Sequence, residues 1–273
     1  MKLQLAVHTL LGLGIGFLST SALALPAQQY HQCTKSFTYD LFLSNHRIGH
    51  YQRTLNWQGD QVQIRSYSTI DIKVSKSQFR QNSQVFWSEQ ENGFLTHSFE
   101  RRISGLMAGQ TSATFSEDGR RTSLQREGDT LTFTSQDIPI RDGDAVGSQI
   151  RLNLLNGKQS FDFKLQGNDD VDRYYFEVKG QEYINTNFGR LKAFRVEQVR
   201  KPDRQLVMWF APEVDYQLVK ATYERRLLNL KAMLLRQDIQ CPETTAAVQS
   251  AASMQSTATI QSTATTQSTP SIP

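Results

Sequence analysis

The chain is poor in the features that usually announce chemistry. It has two cysteines, Cys33 and Cys241, and no Cys-x-x-Cys, so nothing offers the setting of a thiol redox centre. It has no Gly-x-Ser-x-Gly elbow, no P-loop and no Rossmann fingerprint, which removes the common signatures of α/β-hydrolases, P-loop NTPases and dinucleotide enzymes. Lys and Arg number 30 against 26 Asp and Glu. This mild excess is spread along the chain without a dense basic block, so nucleic acid is not an expected partner. After the first 24 residues no apolar run is long enough to span a bilayer.

Histidine and acidic residues are equally thin as sites. His46 and His50 form His-x-x-x-His, the spacing of two ligands on a helix, but they flank a predicted turn and no Glu follows the first. Asp142 and Asp144, and the group Asp169, Asp170 and Asp172, lack the glycine and distant glutamate of a calcium loop. Glu213 and Asp215 sit two residues apart on a loop and read as solvated rather than as an acid–base pair. No metal, cofactor or catalytic residue is expected.

What is present begins with a targeting segment. Lys2, the apolar run Leu3–Ser19 and Ala22-Leu23-Ala24 read as a signal peptide cleaved near Ala24, so export to the periplasm is expected. Residues 25–241 then form one β-rich domain. Residues 242–273 form a Ser/Thr/Gln/Ala tail with no charge after Glu243, which is expected to be disordered. In an oxidising compartment an even cysteine count points to a bridge, and Cys33–Cys241 is the one intrachain pairing.

Between the cysteines, apolar residues alternate with polar ones over short runs. Phe37, Tyr39 and Leu41 set the period, and Tyr51, Arg53, Leu55 and Trp57 repeat it. Ile70, Ile72 and Val74 continue it. Turn signals recur at about the 8–12 residue spacing of meandering sandwiches and barrels, among them Gly59-Asp60, Asn92-Gly93, Asp118-Gly119, Asn187-Phe188-Gly189 and Pro202-Asp203. One stretch breaks the pattern. Val146, Ile150 and Leu154 share a helical face, which predicts a short helix near 144–156 with Asp144 as N-cap and Gly157 just past its end. The expected fold is mainly β, an antiparallel meander forming a curved sandwich or partly closed barrel whose first and last strands meet.

Aromatic residues make up 10% of the chain and serve first as a β core. Their functional reading is a cavity for an apolar ligand between sheet faces, with Trp57, Trp87 and Trp209 as the lining to test. Three segments carry a family resemblance: Tyr39–His50 with Tyr-Asp-Leu-Phe-Leu and Ile-Gly-His; Gly180–Arg195 with Gly-x-Glu-x-Ile-x-Thr-x-x-Gly and Phe194; and Met208–Lys220 with Trp-Phe-Ala-Pro-Glu and Val219-Lys220. In these the chain resembles the exported bacterial family named domain of unknown function 3108, with Leu218 where the family usually has proline. The resemblance implies a periplasmic β-rich protein and carries no catalytic residues. The expected function is non-enzymatic binding of a lipid or glycan ligand in cell-envelope maintenance. The alternatives are an envelope hydrolase, or a structural partner of another envelope protein that docks through an exposed edge or the 203–217 loops.

Overall fold

The structure, a computed structural model, describes residues 33–72, 75–105 and 108–241. The targeting segment, Val74 and the Ser/Thr/Gln/Ala tail lie outside these residues. The described residues form fifteen strands in one sheet. Nine precede the helix, the first eight being β1 (Thr34–Leu43), β2 (His46–Gln58), β3 (Gln61–Ile72), β4 (Ser75–Ser88), β5 (Gly93–Ser104), β6 (Gly109–Phe115), β7 (Arg121–Arg126) and β8 (Asp129–Thr134). The short β9 (Ile140–Arg141) leads into helix α1 (Gly143–Leu155). The chain then returns as β10 (Ser160–Gln166), β11 (Val171–Thr186), β12 (Gly189–Val199), β13 (Gln205–Ala211), β14 (Gln217–Arg225) and β15 (Leu228–Gln240).

The meander runs β1 to β8 one way and β10 to β15 the other, and the halves are joined where β1 pairs antiparallel with β15. Cys33–Cys241 closes the end of that ladder, just beyond Thr34↔Gln240. The expected meeting of first and last strands is therefore found. The sheet nevertheless stays open: β8 and β9 are its two edges, and β9 adds to β10 in the one parallel pairing among the described strands. The chain leaves the meander at α1, so no ladder joins the halves on that side. Side chains bridge there instead, as where Thr122 Oγ1 donates to Gln166 Oε1 at 2.6 Å.

Helix α1 starts two residues earlier than the sequence pattern placed its cap. Asp142, not Asp144, is the N-cap, and its carboxylate accepts from Ala145 N at 2.9 Å. This frees Asp144 to face the sheet. The helix stops at Asn156 and Gly157, whose φ of +68° is cheap only without a Cβ.

The core is organised by the alternation. Phe37, Tyr39, Leu55, Val62, Ile64, Val85, Trp87 and Leu234 are buried in its main cluster, and large side chains of this kind contribute about 1.5–3 kcal/mol each when fully buried. A second cluster packs Ile150 and Leu154 of α1 against Phe163, Phe176, Val196, Met208 and Phe210.

Candidate functional site

The register of the first strands lines up one transverse row. Arg53 pairs with Ser66, Ser66 with Gln81, Gln81 with Arg101 and Arg101 with Thr111. In pleated strands these positions share the face that carries Leu55, Ile64, Val85 and Phe99. The inner face thus carries a polar belt across an otherwise apolar wall. The first turn of α1 lies on it.

Two carboxyls meet there. Asp142 is fully buried and Asp144 is 4% exposed. Asp142 Oδ1 accepts from Thr96 Oγ1 and Ala145 N, both at 2.9 Å. Asp144 Oδ1 accepts from Ser66 Oγ at 3.0 Å and lies 3.2 Å from Arg53 Nε. The two Oδ2 atoms share donors: Gln81 Nε2 is 2.9 Å from each, and Ser83 Oγ is 2.6 Å from Asp142 and 2.8 Å from Asp144. A hydroxyl carries one proton, so two contacts this short are satisfied together when one carboxyl brings a proton of its own. Burial and the neighbouring Asp144 charge push the Asp142 pKa up, so Asp142 holds a proton more readily than an ordinary aspartate.

Arg53 completes the latch. Its Nη2 donates to Asp144 O at 2.6 Å. Burial opposes its charge, but Asp144 and the nearby tyrosines outweigh burial and raise its pKa. Tyr51, which hydrogen-bonds Ser66 Oγ at 2.9 Å, is pushed up to about 12 by burial. Farther along, Arg151 Nε donates to Asp215 O at 2.7 Å and its guanidinium pairs with the Asp215 carboxylate. Lys35 Nζ of β1 reaches the same carboxylate at 2.7 Å. Burial, together with the Arg151 charge, lowers Lys35 to about 8. Helix α1 is therefore held at its start to β2–β5, and through Arg151 to Asp215 of the β13–β14 connection, which Lys35 of β1 also engages.

Beside this strap lie two adjoining cavities. One, of about 420 Å³, is walled by Tyr39, Tyr51, Arg53, Phe79, Arg101, Ile150, Met208, Phe210 and Leu218 among others. The second, of about 310 Å³, is walled by Val146, Phe163, Leu165, Tyr174, Phe176 and Leu206. Gly143, Gly147, Ile150 and Met208 line both. The glycines keep the boundary thin. A Cβ at Gly147 would stand 2.9 Å from Arg53 Nη1, whereas one at Gly143 would meet nothing within 4 Å.

The three tryptophans lie elsewhere. Trp57 and Trp87 pack edge-on against Phe94, with ring centroids 5.8 and 5.2 Å apart. Trp209 alternates with Met208 and Phe210, hydrogen-bonds Glu182 through Nε1 and lies under Lys220 Nζ. None of them is on the walls of the two cavities. Glu213 is exposed, while its neighbour Asp215 is engaged by Lys35 and Arg151. His50 bonds Thr69, and His46 bonds Ser44 O. Among the described residues no group of three or more His, Cys, Asp or Glu converges to hold a metal ion. No helix among them is long and apolar enough to cross a membrane.

The residues that sequence reasoning missed carry one signal. Arg53, Ser66, Gln81, Ser83 and Arg101 are polar side chains at strand positions whose parity assigns them to the buried face.

The Asp142 proton has a measurable consequence. A carboxyl whose folded pKa lies above its unfolded value of 3.8 adds stability that is fully present below 3.8 and is lost as pH rises through the folded value. Asp142→Asn mimics the protonated form and does not titrate. The difference in unfolding free energy, variant minus wild type, should therefore grow as pH rises above the ordinary aspartate range. Denaturant titrations across a pH series test this, and a pH-independent difference would place the proton elsewhere.

The architecture of the described residues is an open, barrel-like, mostly antiparallel sheet with helix α1 strapped across its inner face. The solved structure of a β-barrel-like protein of domain of unknown function DUF1849 from Brucella abortus has this fold, with a TM-score of 0.53 at 14% identity over 78% of this chain and 100% of that one. No curated protein matches the sequence. The family model described as protein of unknown function (DUF3108) matches residues 38–234, and the chain belongs to that family.

Proposed function

We propose that this protein is exported to the periplasm and binds an apolar or amphipathic envelope-derived ligand, a lipid rather than a glycan, without catalysing a reaction. The observation that carries the reading is the pair of adjoining cavities along α1. Their volumes of about 420 and 310 Å³ sit in the range of small-molecule sites. Their shared boundary consists of two glycines, Ile150 and Met208, a surface for acyl or ring carbons, while the larger cavity also presents the polar Tyr51, Ser66, Gln81 and Arg101, which suits an amphipathic ligand.

A hydrolase would make use of the Asp142–Asp144 pair. All four of its oxygens already accept from or pair with Thr96, Ala145, Ser66, Arg53, Gln81 or Ser83, so the same pair supports a structural latch.

The test is native mass spectrometry with lipid extraction on protein purified gently from the periplasm, wild type beside Gly143→Phe. A Cβ at Gly143 would meet nothing within 4 Å, and Gly143 lines both cavities, so a bulky ring built there is aimed at the junction; the unfolding temperature reports whether the neighbouring Asp142–Asp144 anchor survives. Wild type should carry a stoichiometric ligand and the variant should lose it while unfolding at the same temperature. Wild type that arrives without any ligand, or a variant that carries the same load, would remove the reading.

A further inference from the structure

Arg101 occupies a position that strand alternation assigns to the core. It shares parity with Phe99, which is 1% exposed, and stands opposite Gln81 and Thr111. A guanidinium there loses much of its hydration, and its pKa is lowered by burial. Arg53 and Arg151, the other cations on the larger cavity, each pair with a carboxylate. Arg101 forms no ion pair within 4.0 Å among the described residues. Its Nε donates to Gln81 Oε1 at 2.7 Å, its Nη1 donates to Asn168 Oδ1, and its guanidinium lies 4.9 Å from the Phe99 ring centroid. Both hydrogen-bond partners are neutral acceptors, and among the described residues no hydrogen bond uses Nη2.

We propose that Arg101 receives the anionic headgroup of an amphiphile whose apolar chain lies along α1 between Ile150, Met208 and Phe210. The inference rests on the apolar-ligand reading above and adds the ligand's charge and orientation. A partly buried guanidinium that feels Asp142 and Asp144 only through space and forms no ion pair within 4.0 Å among the described residues gains from an oxyanion, since hydrogen bonds between charged groups are the strong ones. The same cavity is also lined by Ile150, Met208, Phe210 and Leu218, so one space offers both a guanidinium and apolar surface. Gln81 couples the position to the latch, because it accepts from Arg101 while donating to Asp142 and Asp144.

Dodecyl phosphate, dodecanol and inorganic phosphate are the probes, titrated calorimetrically into delipidated wild type, Arg101→Gln, Arg101→Lys and Arg102→Gln. Arg102 is one residue along, exposed, and on the opposite face of β5. Wild type should bind dodecyl phosphate about tenfold or more tighter than dodecanol. Arg101→Gln should erase that preference and leave dodecanol binding unchanged, Arg101→Lys should restore part of it, and Arg102→Gln should behave as wild type. Equal binding of dodecanol and dodecyl phosphate to wild type overturns the headgroup site and leaves the apolar reading standing. Failure of both alkyl probes overturns the two together. Inorganic phosphate that binds as tightly as dodecyl phosphate, and is lost with Arg101, marks a free-anion site and overturns the amphiphile. Denaturation midpoints close to wild type are expected for Arg101→Gln, since it removes a partly buried charge that forms no ion pair, and these serve as the folding control.

Discussion

Asp144→Ala is expected to lower the unfolding free energy by about 3–5 kcal/mol, the usual cost of stripping one partner from a buried ion pair. The Arg53 side chain is 17% exposed and the Asp144 side chain 6%, so water screens little of what remains. The variant leaves the guanidinium beside the helix carbonyl of residue 144 and takes an acceptor from Ser66 Oγ, Gln81 Nε2 and Ser83 Oγ. Asp142 relieves part of this, because without its like-charged neighbour it ionises more readily and can answer Arg53 through space. The lower half of the range is therefore the better expectation. Denaturant unfolding measures the loss, and hydrogen exchange should show the α1 amides opening before the β1–β15 ladder. Arg53→Met with Asp144→Ala should cost less than the sum of the single variants, as coupled sites do. A loss below about 1 kcal/mol in Asp144→Ala would show that the helix is held by its apolar face and not by the polar belt.

Removing the disulfide is the other large effect. Cys33→Ser should cost about 2–5 kcal/mol. The bridge spans a sequence separation of 208, and chain-entropy reasoning assigns about 5 kcal/mol to so long a loop, as an upper figure. Little of the loss should come from the folded state. The β1–β15 ladder continues from Thr34↔Gln240 to Leu43↔Leu230 with one irregularity, and it holds the strands together without the covalent link. The signature is thus a lower denaturation midpoint with a native spectrum preserved, accompanied by a larger denaturant slope if the unfolded chain expands. A Cys33→Ser variant as stable as the oxidised wild type would mean that the unfolded chain is already compact without the bridge.

Much of this molecule was legible locally. The alternation in Phe37-x-Tyr39 and Tyr51-x-Arg53-x-Leu55-x-Trp57, and turns such as Asn187-Phe188-Gly189, identify strands because side-chain direction has period two and turns need particular backbone angles. The short helix was readable from Val146, Ile150 and Leu154, and the bridge from two cysteines alone. The alternation even put Arg53 on the buried face. Its partner could not be read, because Asp144 lies 91 residues away and meets it only when α1 is laid across the sheet. The same holds for the belt Arg53–Ser66–Gln81–Arg101, which exists through inter-strand register, a property of pairs of strands that no single strand encodes. The cap belonged to Asp142 and not Asp144 because a three-dimensional contact decided between two aspartates equally suited by type. The tryptophans went into the core and left the helix-side walls to Met208, Phe210 and Ile150. Local sequence determined which segments are strands and which faces are apolar; packing at long range decided which polar groups are buried together, where the sheet stays open and where a cavity remains.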